Sequence, residues 1–372
     1  MTTLHTRTAN PTGTNTHNGL IRFRQLSTWA AAALLLSACA TQQPTSTIPE
    51  TSKSPIPAVP LSALPAPAPL RSIVVQQERL YRVAAPLLTQ NVPLCKANAR
   101  NLLGFSAKNK YSFPKEFIAD AQQAYGLNEQ LQVIQVLTDS GAQHAGIRPG
   151  DRLISASDKP FPIGPNAERQ AAAILGPLVH NSSLIKLTVS RNDKNIPLNI
   201  PLTRACAFAV ELGNADNVNA YADGQRVMVT QGMLDFVQSD EELALVLARE
   251  FAHNALGHAN KQRMSATIGG VIDNLTRYNP DLRAINGMAG IKVYPENFDA
   301  QADKLSLYML ARAGYKIDNA AAFWQRLDQK IPATTLNGYT AIHPTTASRL
   351  EAITRTVAEI KAKQRNKKAL LP

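Results

Sequence analysis

The sequence predicts an α+β fold in which a mainly helical domain with a small edge sheet carries an inserted β-rich module. Three observations favour this fold class. Leu243, Leu247 and Phe251 recur at the spacing of one helix face. Residues 131–137 alternate like a strand, and residues 219–234 run from an apolar strand into a helix start.

The amino-acid composition limits the classes of protein to which the chain can belong. Of 372 residues, 44% are hydrophobic and 18% are charged, which is typical of a soluble globular chain and not of a polytopic membrane protein. The net charge is +12, and part of it lies in the basic stretch 361–368. This stretch is either a solvated helix end or a surface attracted to anionic lipid headgroups. No segment resembles a nucleic-acid-binding module, so we expect no nucleic-acid partner.

The N-terminus has the layout of a secretory signal. Arg22 and Arg24 precede the apolar run 29–36, which is too short for a bilayer that needs about 20 residues. The following Leu-Ser-Ala-Cys at 36–39 resembles a bacterial lipobox. That resemblance implies a signal peptide over residues 1–38 and a lipid anchor on Cys39, and Ala40 favours the outer membrane, facing the periplasm. An ordinary signal with a chance cysteine is the alternative.

Residues 39–70 are rich in Pro, Ser, Thr and Ala, and they predict an extended tether because they offer little apolar surface to bury. Two cysteines follow it, Cys95 and Cys206. In an oxidising envelope compartment, an even pair predicts a disulfide. Two unrelated buried thiols are the alternative.

A distinct motif lies between the two cysteines. Residues 145–154 read AGIRPGDRLI, and Gly146 and Gly150 fit positions that need tight turns. Residues 167–175 are then predicted as a helix and residues 184–189 as a strand. The motif resembles the bacterial PDZ signature, which implies a PDZ-like domain over residues 125–203 that binds protein or peptide partners by strand addition. The alternative is a module that only packs against its neighbour.

The candidate chemistry lies on a predicted helix that begins at Ser239, with Glu242 completing a capping box. This helix carries Arg249-Glu250-Phe-Ala-His253. In H-E-x-x-H peptidases, two histidines four residues apart bind zinc and the glutamate activates water. Here arginine stands at the first histidine position.

Three ordered segments accompany this motif, at 219–258, 299–303 (DAQAD) and 343–349 (HPTTASR). Together they resemble the HtpX and CAAX-endopeptidase kind of zinc metallopeptidase, a gluzincin family. The resemblance implies a metallopeptidase-like domain over residues 204–365, with a helical N-terminal part at 71–124 and a basic tail at 366–372.

The resemblance also implies roles. Glu250 would be the general base and His253 a zinc ligand. Asp299 stands where the family has its third ligand, a glutamate, and Asp303 stands at the carboxylate that orients the first histidine. His343 would assist the tetrahedral intermediate.

A substrate-aligning edge strand is implied as well, with Gly224, Val227 and Val229 in it. For Arg349 the sequence favours a structural ion pair.

Two departures from the family pattern favour a degenerate site. Arginine stays protonated and has no lone pair for a metal, so Arg249 cannot replace a histidine ligand. Asp299 is one methylene shorter than glutamate. His258 is expected to diverge from His253 around the helix. Only His253 and Asp299 are then expected to converge, whereas catalytic zinc normally has three protein ligands.

Three hypotheses follow. The chain is a peptidase-like protein that holds partners without cutting them, an active zinc metalloendopeptidase of envelope protein quality control, or a binding lipoprotein whose PDZ-like module is the working part. Under the first hypothesis, we expect Arg249 and Asp299 to form a salt bridge, with Asp303 or Glu250 as a second acceptor.

Overall fold

The computed structural model describes residues 68–284 and 291–372. The predicted signal peptide, Cys39 and the tether up to residue 67 lie outside these ranges. The predicted tether extends to residue 70, whereas helix α1 begins at Ala68. No described helix combines the length and the apolar composition needed to cross a bilayer.

The larger domain is mainly helical. Its helices are α1 (Ala68–Thr89), α2 (Val92–Cys95), α6 (Gln231–Phe236), α7 (Asp240–Leu256), α8 (His258–Lys261), α9 (Ser265–Leu275), α10 (Glu296–Arg312), α11 (Ala320–Lys330), α12 (Tyr339–Ile342) and α13 (Ala347–Arg365). Short 3₁₀ turns lie at Lys96–Asn98 and Leu282–Ala284. Helix α7 packs against α1 and α10, and α10 packs against α13.

Helix α7 is the centre of this domain. The Ser239 side chain accepts a hydrogen bond from the Glu242 N–H, which satisfies one free donor of the first turn. Glu242 accepts from the Gln238 N–H instead of the Ser239 N–H, so the predicted capping box is only half formed. Every residue of α7 from 243 to 254 is buried, because neighbours cover the helix on all sides.

The second module is β-rich. Its strands are β2 (Phe105–Lys108), β3 (Gln132–Val136), β4 (Arg152–Ala156), β5 (Lys159–Pro160), β6 (Leu184–Arg191) and β7 (Lys194–Pro201), and its helices are α3 (Ile118–Tyr125), α4 (Gly141–His144) and α5 (Ala167–Asn181). Short 3₁₀ turns at Lys110–Ser112 and Lys115–Phe117 precede α3. The sheet order is β2-β3-β4-β6-β7, with β5 paired to β4. The α+β fold class is confirmed, as are the strands near 131–137 and 184–189 and the helix that begins at 167.

The sheet of this module begins earlier than the predicted boundary at residue 125. Strand β2 pairs antiparallel with β3, although it lies in the stretch 71–124 that was predicted to be helical. Gly104 precedes β2 with φ +84°, and a Cβ there would lie 2.7 Å from the Ser140 Cβ. This close approach places the start of β2 against the turn that follows β3.

The two ends of the module are tied together. Strand β1 (Ala99–Leu102) pairs antiparallel with β8 (Thr203–Cys206), so the chain enters and leaves the module side by side. Next to this pair, Cys95 and Cys206 form a disulfide with a Cα–Cα distance of 5.6 Å. The disulfide pairing considered from the sequence is therefore present.

A three-stranded sheet in the helical domain contains β9 (Ala209–Gly213), β10 (Ala220–Ala222) and β11 (Arg226–Thr230), in the order β10-β11-β9. Strand β11 is central, antiparallel to β10 and parallel to β9. Val227 and Val229 are fully buried. The expectation that this strand is a free edge is therefore wrong, because both of its edges are paired.

Candidate active site

Two helices bring the charged residues together. Arg249 and His253 lie four residues apart on α7, so they share one face of the helix. Asp299 and Asp303 have the same spacing on α10, which packs against α7. Side chains that are far apart in the sequence therefore meet in one buried layer.

Arg249 is fully buried and paired with both aspartates. Its Nη2 lies 2.9 Å from Asp299 Oδ1 and its Nε lies 2.8 Å from Asp303 Oδ1. These are ion-pair distances, although the two N–H groups do not point at the oxygens well enough to count as hydrogen bonds. The predicted Arg249–Asp299 ion pair is confirmed, and Asp303 is the second acceptor.

Two aromatic rings complete the surroundings of Arg249. Its Nη1 donates to the Tyr339 hydroxyl at 2.9 Å. The guanidinium carbon lies 4.9 Å from the Trp324 ring centroid and 5.4 Å from that of Tyr339. Buried cation–π contacts of this kind are each worth about 1–2 kcal/mol. The guanidinium is thus enclosed by both anions and π faces.

Glu250 is buried beside this arginine. Its Oε1 accepts a hydrogen bond from the Tyr339 hydroxyl at 2.6 Å. Burial raises the pKa of Glu250, despite the opposing effects of nearby His253 and of the Tyr339 hydrogen bond. The Tyr339 pKa lies well above its usual value, because burial disfavours the phenolate. Tyr339 is therefore a neutral bridge between Arg249 and Glu250.

Asp299 is the hub of the cluster. Its Oδ1 lies 2.8 Å from His343 Nδ1 and 3.4 Å from His253 Nε2, in addition to its contact with Arg249. Burial raises the pKa of Asp299, but the charge of Arg249 and the contacts with the histidines outweigh burial and hold that pKa well below its usual range. Asp299 is consequently a carboxylate at neutral pH.

His343 lies closer to the cluster than its expected role implies. Its ring stacks on Tyr294 with centroids 4.8 Å apart, and burial lowers the pKa of His343 to about 4. The possible ligand atoms of His253, Asp299 and His343 all lie within 4.8 Å of one another, so these three buried residues form a group able to hold a metal ion. The expectation that only two groups converge is therefore wrong.

The domain that contains this cluster matches a known protein family. A family model of peptidase family M48 matches residues 191–357, which include α7, α10 and His343. The chain contains a peptidase family M48 domain. Mitochondrial metalloendopeptidase OMA1 of Arabidopsis thaliana is 27% identical over 145 residues, covering 37% of this chain and 29% of that protein. The match thus spans less than a third of that relative.

Solved structures that resemble part of the chain include a PDZ domain and an HtrA-type protease. One is the HtrA3 PDZ domain bound to a phage-derived ligand, with 17% identity over 28% of this chain and 88% of that chain and a TM-score of 0.20. Another is the HtrA-type protease AlgW with a decapeptide, with 22% identity over 28% of this chain and 30% of that chain and a TM-score of 0.21.

The M48 domain contains a histidine pair that the helical spacing did not predict. Helix α7 ends at Leu256, and Gly257 takes φ 67°, so the chain turns and His258 begins α8. His258 Nδ1 then lies 3.0 Å from His253 Nδ1. The expectation that the two histidines diverge is wrong, because the helix does not continue through residue 258. His258 contacts the His253 nitrogen that faces away from Asp299.

Arg349 and Gly224 support the M48 site from two sides. Arg349 Nε donates to Asp303 Oδ2 at 2.8 Å, as expected for a structural ion pair, so Asp303 lies between two arginines. The Gly224 N–H donates to Asn254 Oδ1 at 2.7 Å, which ties the β10–β11 turn to α7.

Sequence reasoning missed Tyr339 and Trp324. Both lie on elements outside the matched motifs, and an aromatic residue alone does not indicate a partner for a buried charge. The position of Tyr339 four residues before His343 was the available signal.

Proposed function

We propose that this protein is a lipid-anchored M48-family protein of the cell envelope that holds polypeptide partners and does not hydrolyse them by a zinc-dependent route. The observation that carries the proposal is the buried Arg249 guanidinium, ion-paired with the carboxylate that would serve as a metal ligand.

The M48 family implies a metal, typically zinc, and the residues of this chain fit it poorly. Three donors converge, but Asp299 Oδ1 already has Arg249 Nη2 at 2.9 Å and His343 Nδ1 at 2.8 Å. Catalytic zinc sites take three protein ligands and water, and a guanidinium offers no lone pair. A metal bound to Asp299 would be a near neighbour of a fixed positive charge.

The charges of the cluster also disfavour a bound metal ion. Arg249 and Arg349 balance Asp299 and Asp303 before Glu250 is counted. Two unit charges about 4 Å apart interact by about 4 kcal/mol at an effective dielectric constant near 20. A divalent cation would meet roughly twice that repulsion from Arg249, while both aspartates are already balanced by arginines.

Glu250 alone cannot replace the activation of water by a metal. A general base must be ionised near the working pH and must reach a nucleophile. Burial raises the pKa of Glu250, and its Oε1 is engaged by the Tyr339 hydroxyl. Without a metal to lower the pKa of a bound water, this carboxylate has no activated nucleophile.

The holding role rests on the PDZ-like module. Strand β2 is at the end of its sheet and has β3 as its only partner among the described strands. Half-buried apolar side chains of β2 and α5 pack around the core of this module: Phe105, Ala107, Ile174, Leu175 and Leu178. An extended peptide can add to such an edge by backbone hydrogen bonds while apolar side chains give selectivity.

The envelope location is supported by two features. The lipobox-like stretch that ends at Cys39 would supply the anchor, and acylated anchors hold stably when two or more chains insert. The Cys95–Cys206 disulfide fits an oxidising compartment, because such bonds are rare in reducing ones.

The test is proteolysis of casein by the purified full chain, with and without EDTA. We expect no chelator-sensitive cleavage. A Glu250→Gln variant is the matched control, since it removes the base with little change of shape. Cleavage that EDTA abolishes and Glu250→Gln removes would contradict the proposal.

The alternative is an active metalloendopeptidase in which His343 replaces the missing ligand. The observation that favours this alternative concerns His253 Nε2. This buried nitrogen is directed at Asp299 and forms no hydrogen bond within the described residues, so its lone pair is available to a metal. Under this alternative His253, Asp299 and His343 hold the metal, and its binding requires Arg249 to move away from Asp299. The casein assay separates the two functions.

A further inference from the structure

A crevice lies between the PDZ-like module and the M48 domain, away from the buried cluster. It consists of two cavities of about 480 and 330 Å³. The cavities share Glu78 and Tyr81 of α1, Ser106 of β2, and Ile134 and Gln135 of β3. The two cavities therefore adjoin at these residues, and together we call them the crevice.

The crevice lies on the face of the sheet opposite α5. Side chains alternate along a strand, and Phe105 and Ala107 of β2 pack on the core of the module. Ser106 and Lys108 therefore point the other way, into the crevice. The opposite wall is β9, where Glu211 faces the same space. The crevice is consequently on the opposite face of the sheet from the core of the module.

Three residues that line this space carry buried polar atoms without a partner among the described residues. Gln77 Nε2, Ser106 Oγ and Gln135 Oε1 are shielded from solvent and have no hydrogen-bond partner among the described residues. A buried polar group without a partner is unfavourable by about 1–3 kcal/mol. The set contains an amide donor, an amide acceptor and a hydroxyl. A peptide backbone offers the complementary donors and acceptors along its length.

Charged side chains of both signs line the crevice, namely Glu78, Glu211, Arg82 and Lys108. Glu78 and Glu211 are half-buried, and neither forms an ion pair with a described residue. Burial raises the pKa of both carboxyl groups, and for Glu211 it outweighs the opposite effects of Lys108 and Arg226. Lys108 lies 5.4 Å from the Phe113 ring, and Arg82 is paired with Asp240. A basic ligand side chain would therefore gain a carboxylate partner here.

We propose that the crevice binds an extended polypeptide segment that carries a lysine or arginine side chain. The backbone of the segment pairs with Ser106, Gln77 and Gln135, and its basic side chain pairs with Glu211. The volume suits a few residues of chain, since ligand pockets commonly span about 300–1,000 Å³. This inference rests on the proposed holding function and adds a second contact surface to it.

The test is fluorescence anisotropy of the full chain in detergent with two labelled peptides. Both are built from Ala, Val and Thr, and they differ only in a central Lys or Glu. We expect the Lys peptide to bind about tenfold more tightly, because a charge-assisted contact is worth about that factor. Glu211→Gln should remove this preference, and Gln135→Leu should weaken both peptides several-fold.

The control is Glu351→Gln, which removes an exposed carboxylate on α13, far from the crevice. It should leave both affinities unchanged, and circular dichroism should show the same fold for every variant. Suppose that Glu211→Gln and Gln135→Leu leave the affinities unchanged, whereas Leu175→Glu on α5 abolishes binding. That result would overturn the crevice proposal and leave the holding function intact. No binding of either peptide would overturn both.

Discussion

At the residue scale, Arg249 is the side chain around which the site is organised. It contacts an aspartate pair on α10 and the rings of Trp324 and Tyr339. A catalytic zinc ion joins the elements that carry its protein ligands. Here a covalently attached cation joins them, so the link cannot be removed by a chelator.

Removal of this cation should destabilise the protein. We expect Arg249→Ala to lower the free energy of unfolding by about 3–5 kcal/mol, because the two buried aspartates would then share Arg349 as their one arginine partner among the described residues. The measurement is denaturant unfolding followed by circular dichroism. Arg355→Ala is the control, since this arginine is 71% exposed in its pair with Glu351 and should change stability little.

The pairing itself is tested by a double-mutant cycle. The Arg249→Ala, Asp299→Ala double variant should lose less free energy of unfolding than the two single variants lose in sum. The reason is that each buried charge destabilises the fold mainly when its partner is missing. Simple additivity would show that the two side chains are not coupled.

The ion pair could be predicted from the sequence because motif positions that normally share one metal must converge. The same reasoning missed His343 as a neighbour of Asp299, and it misplaced His258. Both errors concern side chains whose positions depend on where a helix stops, which local spacing does not define.

At the element scale, the end of α7 is set by one glycine. Gly257 takes φ 67°, a conformation that L-residues adopt with strain, and this turn brings His258 back to His253. The strand order shows the same dependence on non-local contacts. The family resemblance implied that β11 is an edge strand, but pairing with β9 and β10 makes it central. Strand β2 was missed because four residues carry too little periodicity.

Substitution of this glycine should destabilise the protein through backbone strain alone. A Cβ at Gly257 would have no neighbour within 4 Å, so no clash is involved. We expect Gly257→Ala to lower the free energy of unfolding by about 1 kcal/mol, and Gly257→Asn to lower it less. Gly270→Ala, at an open position inside α9, should instead be neutral or stabilising. Equal effects at both glycines would contradict this account of the turn.

At the scale of the whole molecule, the PDZ-like module is an insertion whose entry and exit strands are joined. Strands β1 and β8 pair, and the Cys95–Cys206 disulfide lies beside them. The chain therefore enters and leaves the module at one place, while Phe113 and Phe117 also contact Tyr278 of the helical domain and the β2–β3 face borders the crevice. The motif at 145–154 predicted this module, but how it packs against the M48 domain depends on contacts that no motif encodes.

Loss of the disulfide should affect the entire fold. The bond closes a loop of 111 residues, and the chain-entropy model gives about 4–5 kcal/mol for such a loop. We expect a reducing agent to lower the denaturation midpoint of the wild type, and to have no effect on the Cys95→Ser, Cys206→Ser double variant. An equal response of both proteins would contradict this assignment.

The zinc content of two purified proteins tests the central claim most directly, namely that Arg249 takes the place of the metal. The wild type and the Arg249→His, Asp299→Glu double variant would be dialysed against zinc and analysed by mass spectrometry of the metal. We expect the double variant to retain about one zinc per chain, since it regains the three-ligand set, and the wild type to retain none. Stoichiometric zinc in the wild type would contradict the claim.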